Sequence, residues 1–561
     1  MRRWFFRISI LLNVIVGVGA WLWHPIAFLF GPLWILIGVG IADVLQKRQT
    51  IRRNYPIIGH GRYLLESIRP EINQYFVESN TDGTPFNREM RSLVYQRAKG
   101  DLDTVPFGTQ RNLYAEGAEW LTHSIMPAEV PHEPFRITIG QRTCKQPYSA
   151  SLLNISAMSF GALSSRAVLA LSRGAKAGNF AHNTGEGGVS TYHLEGGADI
   201  IWQVGTGYFG CRSADGGFDA QKFVEQARHP NIKMIELKIS QGAKPAHGGI
   251  LPAHKLTREI AKIRGVEMGK DVNSPPRHKA FSTPKELILF VDRLRELSGG
   301  KPVGIKLCVG KRREFFALCK AMLELDKHPD YIAVDGAEGG TGAAPLEFSN
   351  SLGLPLTDAL VFVHNALVGT GLRDRIKVFA AGKVTSGFHI ARMLCLGADA
   401  CYSARAMMMA IGCIQARRCN NNKCPTGVAT QDPDLVGGID VDDKAERVTR
   451  FHRQTVHSFM ELLAACGFTH PSELRPWNLQ QRVGTHEIRH FGELFEFLTP
   501  GALLRGEASE YMIHMWNHAD ANSFNPPGNT GSVMPAPPSA HFKGSVPPLD
   551  IELSGALSRH V

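Results

Sequence analysis

Three cysteines in one short stretch of the chain could hold a metal centre. They are Cys413, Cys419 and Cys424, and Pro425 follows the last of them. Thiolates are the ligands that soft metal centres prefer. A structural zinc site usually takes four protein ligands, whereas three thiolates suffice for a cluster such as [3Fe-4S]. The alternative is three unconnected thiols in a loop. A cluster would predict an electron-transfer protein, with a second group that receives the electrons.

Glycine-rich or polar motifs follow five successive predicted strands, and some could bind phosphate. Gly382-Lys383 and Ser403-Ala404-Arg405 follow the last two predicted strands. In a barrel of parallel strands, the loops at this position commonly bind phosphate through backbone N–H groups, and glycine allows close approach. One such motif alone is more simply a structural turn. Five at successive strand ends favour a ligand site.

Charged side chains at three strand ends could carry the chemistry. Glu186 lies within a run of glycines, and Lys238 and Lys306 end two predicted strands. A buried lysine can stabilise negative charge on a reduced flavin ring, and Gln203 could hydrogen-bond the ring edge. The lysines could instead be ordinary strand-end residues paired with acids. We predict Glu186, Lys238 and Lys306 as the catalytic residues.

A repeating strand–helix pattern must position these residues. From about residue 150, short apolar runs such as 303–307 alternate with amphipathic stretches such as 312–325. About eight such units predict an α/β fold, a (β/α)8 barrel, although the pattern is unclear near residues 180–230. A doubly wound sheet is disfavoured because no Gly-x-Gly-x-x-Gly motif opens the first unit.

The N-terminus carries two apolar runs with basic flanks. Trp4–Trp23 and Ile26–Ala42 are each close to the roughly 20 residues that cross a bilayer. Arginines precede the first run, and Lys47, Arg48 and two further arginines follow the second. This pattern predicts a transmembrane hairpin in the cell inner membrane with both ends cytoplasmic. A signal peptide is the alternative.

The net charge of +11 is concentrated in the first 53 residues, which predicts a membrane flank and no nucleic-acid partner. The 10 cysteines show no disulfide spacing, which favours a reducing compartment.

We predict a hairpin at 1–50, a linking region of unassigned fold at 51–150, the barrel domain at 151–470, an extension at 471–523 and a Pro/Gly-rich tail at 524–561.

Several motifs together resemble the flavin domain of glutamate synthase. They are SAMSFG at 156–161, NTGEGG at 183–188, QGAKPAHGG at 241–249, GGTGAAP at 339–345, GLRDR at 371–375 and CPTGVATQDPDL at 424–435. The resemblance covers roughly residues 150–435. It implies an FMN-binding barrel whose [3Fe-4S] cluster is held by Cys413, Cys419 and Cys424. The implied FMN contacts are Ser156, Ala157, Met158, Ser159, Gln203, Lys306, Gly339, Gly340, Thr341, Gly382, Lys383 and Ser403.

The resemblance implies reductive amination of 2-oxoglutarate to glutamate. We expect no glutaminase in this chain, because a hairpin stands where the large synthases begin with that domain. Ferredoxin, a reductase subunit or another small donor would supply electrons, since no NAD(P)-binding fingerprint is visible.

Some positions depart from the family pattern. Trp202 and Tyr208 stand where the family has a lysine and an arginine, which predicts a substrate pocket with fewer cations; Arg166 could compensate. A flavin and iron–sulfur reductase for another substrate and a membrane-tethered electron carrier therefore stay open. A nucleotide dehydrogenase with a catalytic cysteine is disfavoured by the cysteine motif.

Overall fold

A computed structural model describes residues 1–525 of the chain and divides it into two units. The first unit is Met1–Arg88 and is helical. The second unit begins at Glu89 and contains every strand of the described residues. The predicted Pro/Gly-rich tail lies almost entirely outside the described residues.

The first unit begins with two apolar helices. Helix Arg2–Leu22 is followed by a 3-10 turn, His24–Leu29, and by helix Phe30–Leu45. Pro25 lies in the first turn of the 3-10 segment, where its missing N–H costs nothing. By length and composition, Arg2–Leu22 and His24–Leu45 could each cross a membrane, and a signal sequence would have the same properties. The first unit continues with Thr50–Asn54, Gly59–Ile72 and a π-helical turn, Asn73–Val77.

Eight parallel strands close into a barrel in the second unit, which confirms the predicted (β/α)8 fold. In chain order they are Leu153–Ile155, His182–Asn183, Ile200–Val204, Ile232–Lys238, Val303–Leu307, Tyr331–Asp335, Lys377–Ala381 and Ala400–Ser403. The main helices that follow them are Ser165–Gly178, Thr191–Glu195, Ala220–Ala227, Pro284–Leu297, Arg312–Leu325, Leu356–Gly369, Gly387–Cys395 and Arg405–Ala410. The unclear region near residues 180–230 contains the second and third strands.

The side chains of alternate strand residues fill the barrel. Ile201, Met234 and Phe379 belong to one fully buried cluster inside it. Because neighbouring residues of a strand point to opposite faces, Trp202 lies on the outer side of the third strand. Its ring stacks on Phe223 of the following helix at 5.0 Å between centroids.

Elements outside the repeat cover the barrel. Helix Val441–Ala465 packs on helix Ser165–Gly178, where a Cβ on Gly174 would lie 2.7 Å from the carbonyl oxygen of Ala445. This contact requires glycine. The remaining elements are helices Arg88–Lys99, Arg258–Arg264, Leu346–Ser351, Pro433–Val436, Phe491–Leu494, Ala502–Arg505 and Glu510–Asn517, the sheet of Glu119–Leu121, Leu479–Arg482 and Ile488–His490, and the strand pairs Arg136–Ile139 with Tyr148–Ser151 and Ile250–Leu251 with Val272–Asn273.

Candidate active site

A carboxylate and a lysine form an ion pair at the C-terminal end of the barrel. Glu186 Oε1 lies 2.8 Å from Lys238 Nζ, and their side chains are only 17% and 9% exposed. A Cβ on Gly249 would lie 2.5 Å from Glu186 Oε1, so the glycines around this glutamate make room for its carboxylate. Burial by itself would raise the pKa of Glu186, but Lys238 and the nearby Lys244 and Arg264 outweigh it and lower the pKa. Glu186 is therefore ionised near neutral pH.

Two further cations surround this pair. The buried Lys244 donates from Nζ to the carbonyl oxygen of Ala343 at 3.0 Å, and Arg264 donates from Nη2 to Phe160 at 3.1 Å. Burial lowers the pKa of Lys244 to about 8, with Glu186 acting in the opposite direction. Burial also lowers the pKa of Arg264 to about 10. The two groups are thus desolvated cations beside a single carboxylate.

One cavity of about 50 Å³ joins the separate sequence motifs. Its lining includes Ser159, Glu186, Lys244, Arg264, Thr341 and Cys419. A larger cavity of about 670 Å³ lies at the opposite end of the barrel, near Tyr148, Lys233 and Lys301. Active sites of such barrels lie at the C-terminal ends of the strands, so the smaller cavity is the candidate site.

Lys306 is the second-last residue of the fifth strand and faces an acid of the sixth. Its Nζ lies 3.5 Å from Asp335 Oδ2, and both side chains are largely buried. The same oxygen accepts a hydrogen bond from the Gly242 N–H at 2.9 Å. This arrangement fixes the loop that carries Lys244 relative to the Lys306 side chain.

Gln203 belongs to a buried network around Glu236. The Gln203 and Asn183 amides donate to Glu236 Oε1 at 2.6 and 2.8 Å, and the Tyr402 hydroxyl donates to Oε2 at 3.0 Å. Glu236 itself is fully buried. Its three donors satisfy a carboxylate that would otherwise be very costly to bury. This network holds the Gln203 side chain through its bond to Glu236.

The predicted cofactor loops lie next to one another at the same end of the barrel. The Ser156 N–H donates to the Ser403 carbonyl at 3.0 Å, because the first and eighth strands are neighbours. A Cβ on Gly185 would lie 2.6 Å from Ser159 N, so the second loop packs closely on the residues Ser156, Ala157, Met158 and Ser159.

The loops after strands six to eight are also in contact. Arg405 Nη2 donates to the Glu338 carbonyl at 3.1 Å, and a Cβ on Gly340 would lie 2.9 Å from Arg405 Nη1. Lys383, after Gly382, has a φ of 49°, and the Ser403 hydroxyl donates to Val384 at 2.7 Å. The structure thus places Gly339, Gly340, Thr341, Gly382, Lys383 and Ser403 in one group of loops.

The three cysteines lie in a strained loop. Gln415, Arg417 and Asn422, between the first and last cysteine, all have positive φ values of 54–62°. Such conformations are unfavourable for non-glycine residues and cluster at functional sites. Burial, with smaller contributions from the nearby Cys419 and Cys424, raises the pKa of Cys413 to about 12.

A lysine joins this loop to the cavity. The buried Lys255 donates from Nζ to the carbonyl oxygens of Cys419 and Ala429, both at 3.1 Å. It also lines the cavity. Within residues 1–525, no group of three His, Cys, Asp or Glu side chains is arranged to hold a metal ion. The donor types and the cationic Lys255 fit a three-thiolate anionic cluster, although the thiols do not form a ligand set here.

Three positions interpreted from the sequence as pocket residues do not face the cavity, and that interpretation was wrong. Trp202 points to the outer side of its strand. Tyr208 is buried, and its hydroxyl accepts from the Ala280 N–H at 3.1 Å. Arg166 lies on the surface and donates to the Gly437 and Ile439 carbonyls at 3.0 and 2.9 Å. None of them lines the cavity among the described residues.

Sequence reasoning missed several residues of the site. Lys244 belongs to the QGAKPAHGG motif, and its place after the fourth strand was the available indication. Glu236 is an acid at an inward position of an apolar strand, which alternation could have indicated. Arg264 and Lys255 come from the long connection between the fourth strand and helix Pro284–Leu297, and no local pattern indicates where they point.

The parallel barrel with a cation-rich cavity at the C-terminal ends of its strands defines a (β/α)8 enzyme scaffold. A family model described as "Conserved region in glutamate synthase" matches residues 122–469. The chain belongs to the glutamate synthase family. It is an oxidoreductase of the class that acts on CH–NH2 groups.

Curated relatives agree with the family match. The chain is 38% identical over 491 residues to "Glutamate synthase large subunit-like protein YerD" of Bacillus subtilis, covering 80% of this chain and 93% of that protein. It is 34% identical over 322 residues to "Archaeal glutamate synthase [NADPH]" of Methanocaldococcus jannaschii, covering 57% and 60%. The chain thus spans only about three fifths of the archaeal protein.

Solved structures with similar folds include a flavocytochrome b2 mutant with pyruvate bound, at 14% identity and a TM-score of 0.39 over 73% of this chain and 89% of that one. A mandelate oxidase variant matches at 13% identity and a TM-score of 0.39, over 75% of this chain and 97% of that one.

Proposed function

We propose that the protein is an FMN- and iron–sulfur-dependent enzyme that forms glutamate by reductive amination of 2-oxoglutarate with free ammonia. The observation that carries this proposal is the cavity lined by Lys244, Arg264 and one carboxylate, Glu186, which is also paired with Lys238. Three cations against one acid leave a net positive charge in a desolvated site. A small dianion such as 2-oxoglutarate would complement that charge.

The cations of the site have different roles in binding the substrate. Lys238 is already paired with Glu186 at 2.8 Å. Arg264 and Lys244 donate to the neutral carbonyl oxygens of Phe160 and Ala343, which leaves their charges able to bind carboxylates of the substrate. The planar guanidinium of Arg264 suits bidentate binding of one carboxylate. Arg264 and Lys244 would thus supply the positive charge that the family has as a lysine and an arginine at the positions of Trp202 and Tyr208.

The strand-end loops support binding of FMN. We propose that its phosphate lies against the loops with Gly382, Lys383 and Ser403, and that Ser156, Ala157, Met158, Ser159, Gly339, Gly340 and Thr341 contact the remainder. When bound, FMN supplies the hydride that reduces the imine carbon. Lys306 and Gln203 stay as proposed neighbours of the ring.

Acid–base chemistry falls to the Glu186–Lys238 pair. Imine formation releases water from the ketone carbon, and reduction then requires a proton on the substrate nitrogen. Lys238 Nζ, paired with Glu186 of the cavity lining, can carry that proton. Lys306, held by Asp335, contributes fixed positive charge near the reacting group.

Electron supply and location complete the proposal. Cys413, Cys419 and Cys424 would hold a [3Fe-4S] cluster that passes electrons from ferredoxin, a reductase subunit or another small donor. The two apolar helices would form a hairpin in the inner membrane, with the barrel domain, 151–470, in the cytoplasm. The linking region 51–150 and the extension 471–523 complete the proposed division of the chain.

Anaerobic stopped-flow absorbance of the reconstituted, dithionite-reduced protein tests the function. We expect rapid flavin reoxidation when 2-oxoglutarate and ammonium are added together, with one glutamate formed per flavin oxidised. Either compound alone is the control and should leave the flavin reduced. A protein with intact flavin and iron whose flavin stays reduced when 2-oxoglutarate and ammonium are added together would contradict the proposal. Such a result would favour a different acceptor or an electron carrier.

The pKa of Lys244 predicts how catalysis depends on pH. Its pKa of about 8 means that the ammonium form, which binds a carboxylate, dominates below pH 8 and is lost above it. We expect kcat/KM for 2-oxoglutarate to fall about tenfold per pH unit above that value, because one proton is required. Lys244→Arg should keep its charge and remove this decline. An unchanged alkaline limb in that variant would show that another group titrates.

A further inference from the structure

Helix Gly59–Ile72 and the π-helical turn after it carry exposed apolar side chains on one face. Leu64 and Leu65 are each 62% exposed, Ile68 and Ile72 are each 40% exposed, and Phe76 is 84% exposed. Their spacing of one, three or four residues places them within about one third of the helix circumference. They form what we call the apolar stripe: Leu64, Leu65, Ile68, Ile72 and Phe76.

The other side of this helix contacts its own unit. The Arg52 guanidinium lies over the Tyr63 ring at 5.0 Å, and Gly59 packs against the Arg52 backbone, leaving no room for a Cβ. Tyr63 and Ile68 are five residues apart, which separates their directions by about 140° around the helix axis. Tyr63 therefore lies on the side of the helix away from the stripe. The apolar stripe therefore faces away from the segment on which the helix packs.

The position of the helix indicates what covers the stripe. Asp43, near the end of the second apolar helix, accepts from the Ile57 N–H at 3.0 Å and bonds His60 Nε2 at 2.8 Å. The amphipathic helix therefore starts where the second apolar helix ends. If that helix crosses a bilayer, this is the headgroup level.

The charge of the same segment fits a lipid surface. Residues 47–72 contain six lysines and arginines against two glutamates. Arg62 and Arg69 lie on this helix, and the Arg62 side chain is 58% exposed. A helix with leucine and phenylalanine on one face and arginine beside it is the type that lies in the plane of a membrane interface. Basic residues at this level attract acidic lipids.

We propose that residues 59–77 lie in the headgroup region of a bilayer, with the apolar stripe in the acyl boundary and the arginines among acidic headgroups. The inference rests on the proposed membrane hairpin and extends it with a third, interfacial element. It predicts that the stripe contacts lipid and that the opposite face does not.

Photo-crosslinking of the full chain in nanodiscs of phosphatidylcholine and phosphatidylglycerol tests this placement. The photoreactive residue benzoylphenylalanine replaces Ile68 in one variant and Glu66 in a matched control. The two positions are two residues apart and point about 160° away from each other. A third variant replaces Ile15, within the first apolar helix. Mass spectrometry then identifies what each site has captured.

We expect a several-fold excess of phospholipid adducts at position 68 over position 66. This excess should be larger in nanodiscs that contain phosphatidylglycerol than in nanodiscs of phosphatidylcholine alone. Lipid adducts at position 15 but not at position 68 would overturn the interfacial helix and leave the hairpin intact. No lipid adduct at position 15 would overturn the hairpin as well. Capture of a second copy of this chain at position 68 would show that the stripe is a protein interface.

Discussion

Replacing Arg264 with glutamine is expected to raise the KM for 2-oxoglutarate by about 10- to 150-fold, because hydrogen bonds to charged groups contribute about 1.5–3 kcal/mol. Arg264 is 5% exposed and lines the cavity beside Glu186 and Lys244. Glutamine keeps a hydrogen-bond donor for the Phe160 carbonyl and removes the charge. Steady-state kinetics with a chemical electron donor measures the effect, and flavin content checks that the barrel is intact.

Arg166→Gln is the matched control for this prediction. It removes the same charge from a surface residue that donates to the Gly437 and Ile439 carbonyls. We expect its KM to stay within about twofold of the parent, since surface substitutions have small effects. Arg264→Lys should recover part of the affinity. A large rise in KM for Arg166→Gln, with no change for Arg264→Gln, would mean that the substrate binds elsewhere.

Replacing Cys419 with serine is expected to reduce the iron content from about three atoms per chain to nearly none, because a cluster with three thiolate ligands loses one of them. Cys419 lines the cavity, and its carbonyl oxygen accepts from Lys255. Flavin content should be unchanged, since Cys419 is not among the proposed FMN contacts. Iron analysis and electron paramagnetic resonance of the purified variant provide the measurement.

Cys144→Ser is the control for the cysteine prediction. Cys144 lies between two strands outside the barrel and does not line the cavity that Cys419 lines. Its removal should leave the iron content unchanged. Equal iron content in the Cys419→Ser variant and the parent would exclude this residue as a ligand. Loss of one catalytic thiol without loss of iron would instead favour the dehydrogenase alternative.

The barrel was predictable from the sequence because its period is local. The strand at 303–307 and the helix at 312–325 have the predicted bounds. Each is a short apolar or amphipathic run between turn residues, which is enough to assign it. The second strand, His182–Asn183, has only two residues and offers no pattern to detect. It exists because its neighbours in the barrel provide its hydrogen bonds.

The site was only partly predictable because it is assembled across long connections. Glu186, Lys238 and Lys306 could be found at strand ends, where barrels place catalytic groups. Arg264 reaches the cavity from a helix that the strand–helix repeat does not contain. Trp202 and Tyr208 were misplaced because a substituted residue in a motif does not reveal which way its side chain points. The direction in which a side chain points depends on the register of its strand, and the register is fixed only when the barrel closes.

The network around Glu236 has a consequence for how the protein folds. Tyr402, which donates to this carboxylate, is 166 residues further along the chain and belongs to the last barrel strand. A chain that has formed only its first four strands would enclose the carboxylate with its Asn183 and Gln203 donors but without the third. Compact states that stop short of closure are therefore destabilised, since a buried charge with too few partners is costly. The Glu236 carboxylate therefore makes completion of the barrel cooperative. Its contact with Tyr402 forms late because the two residues are far apart in the sequence.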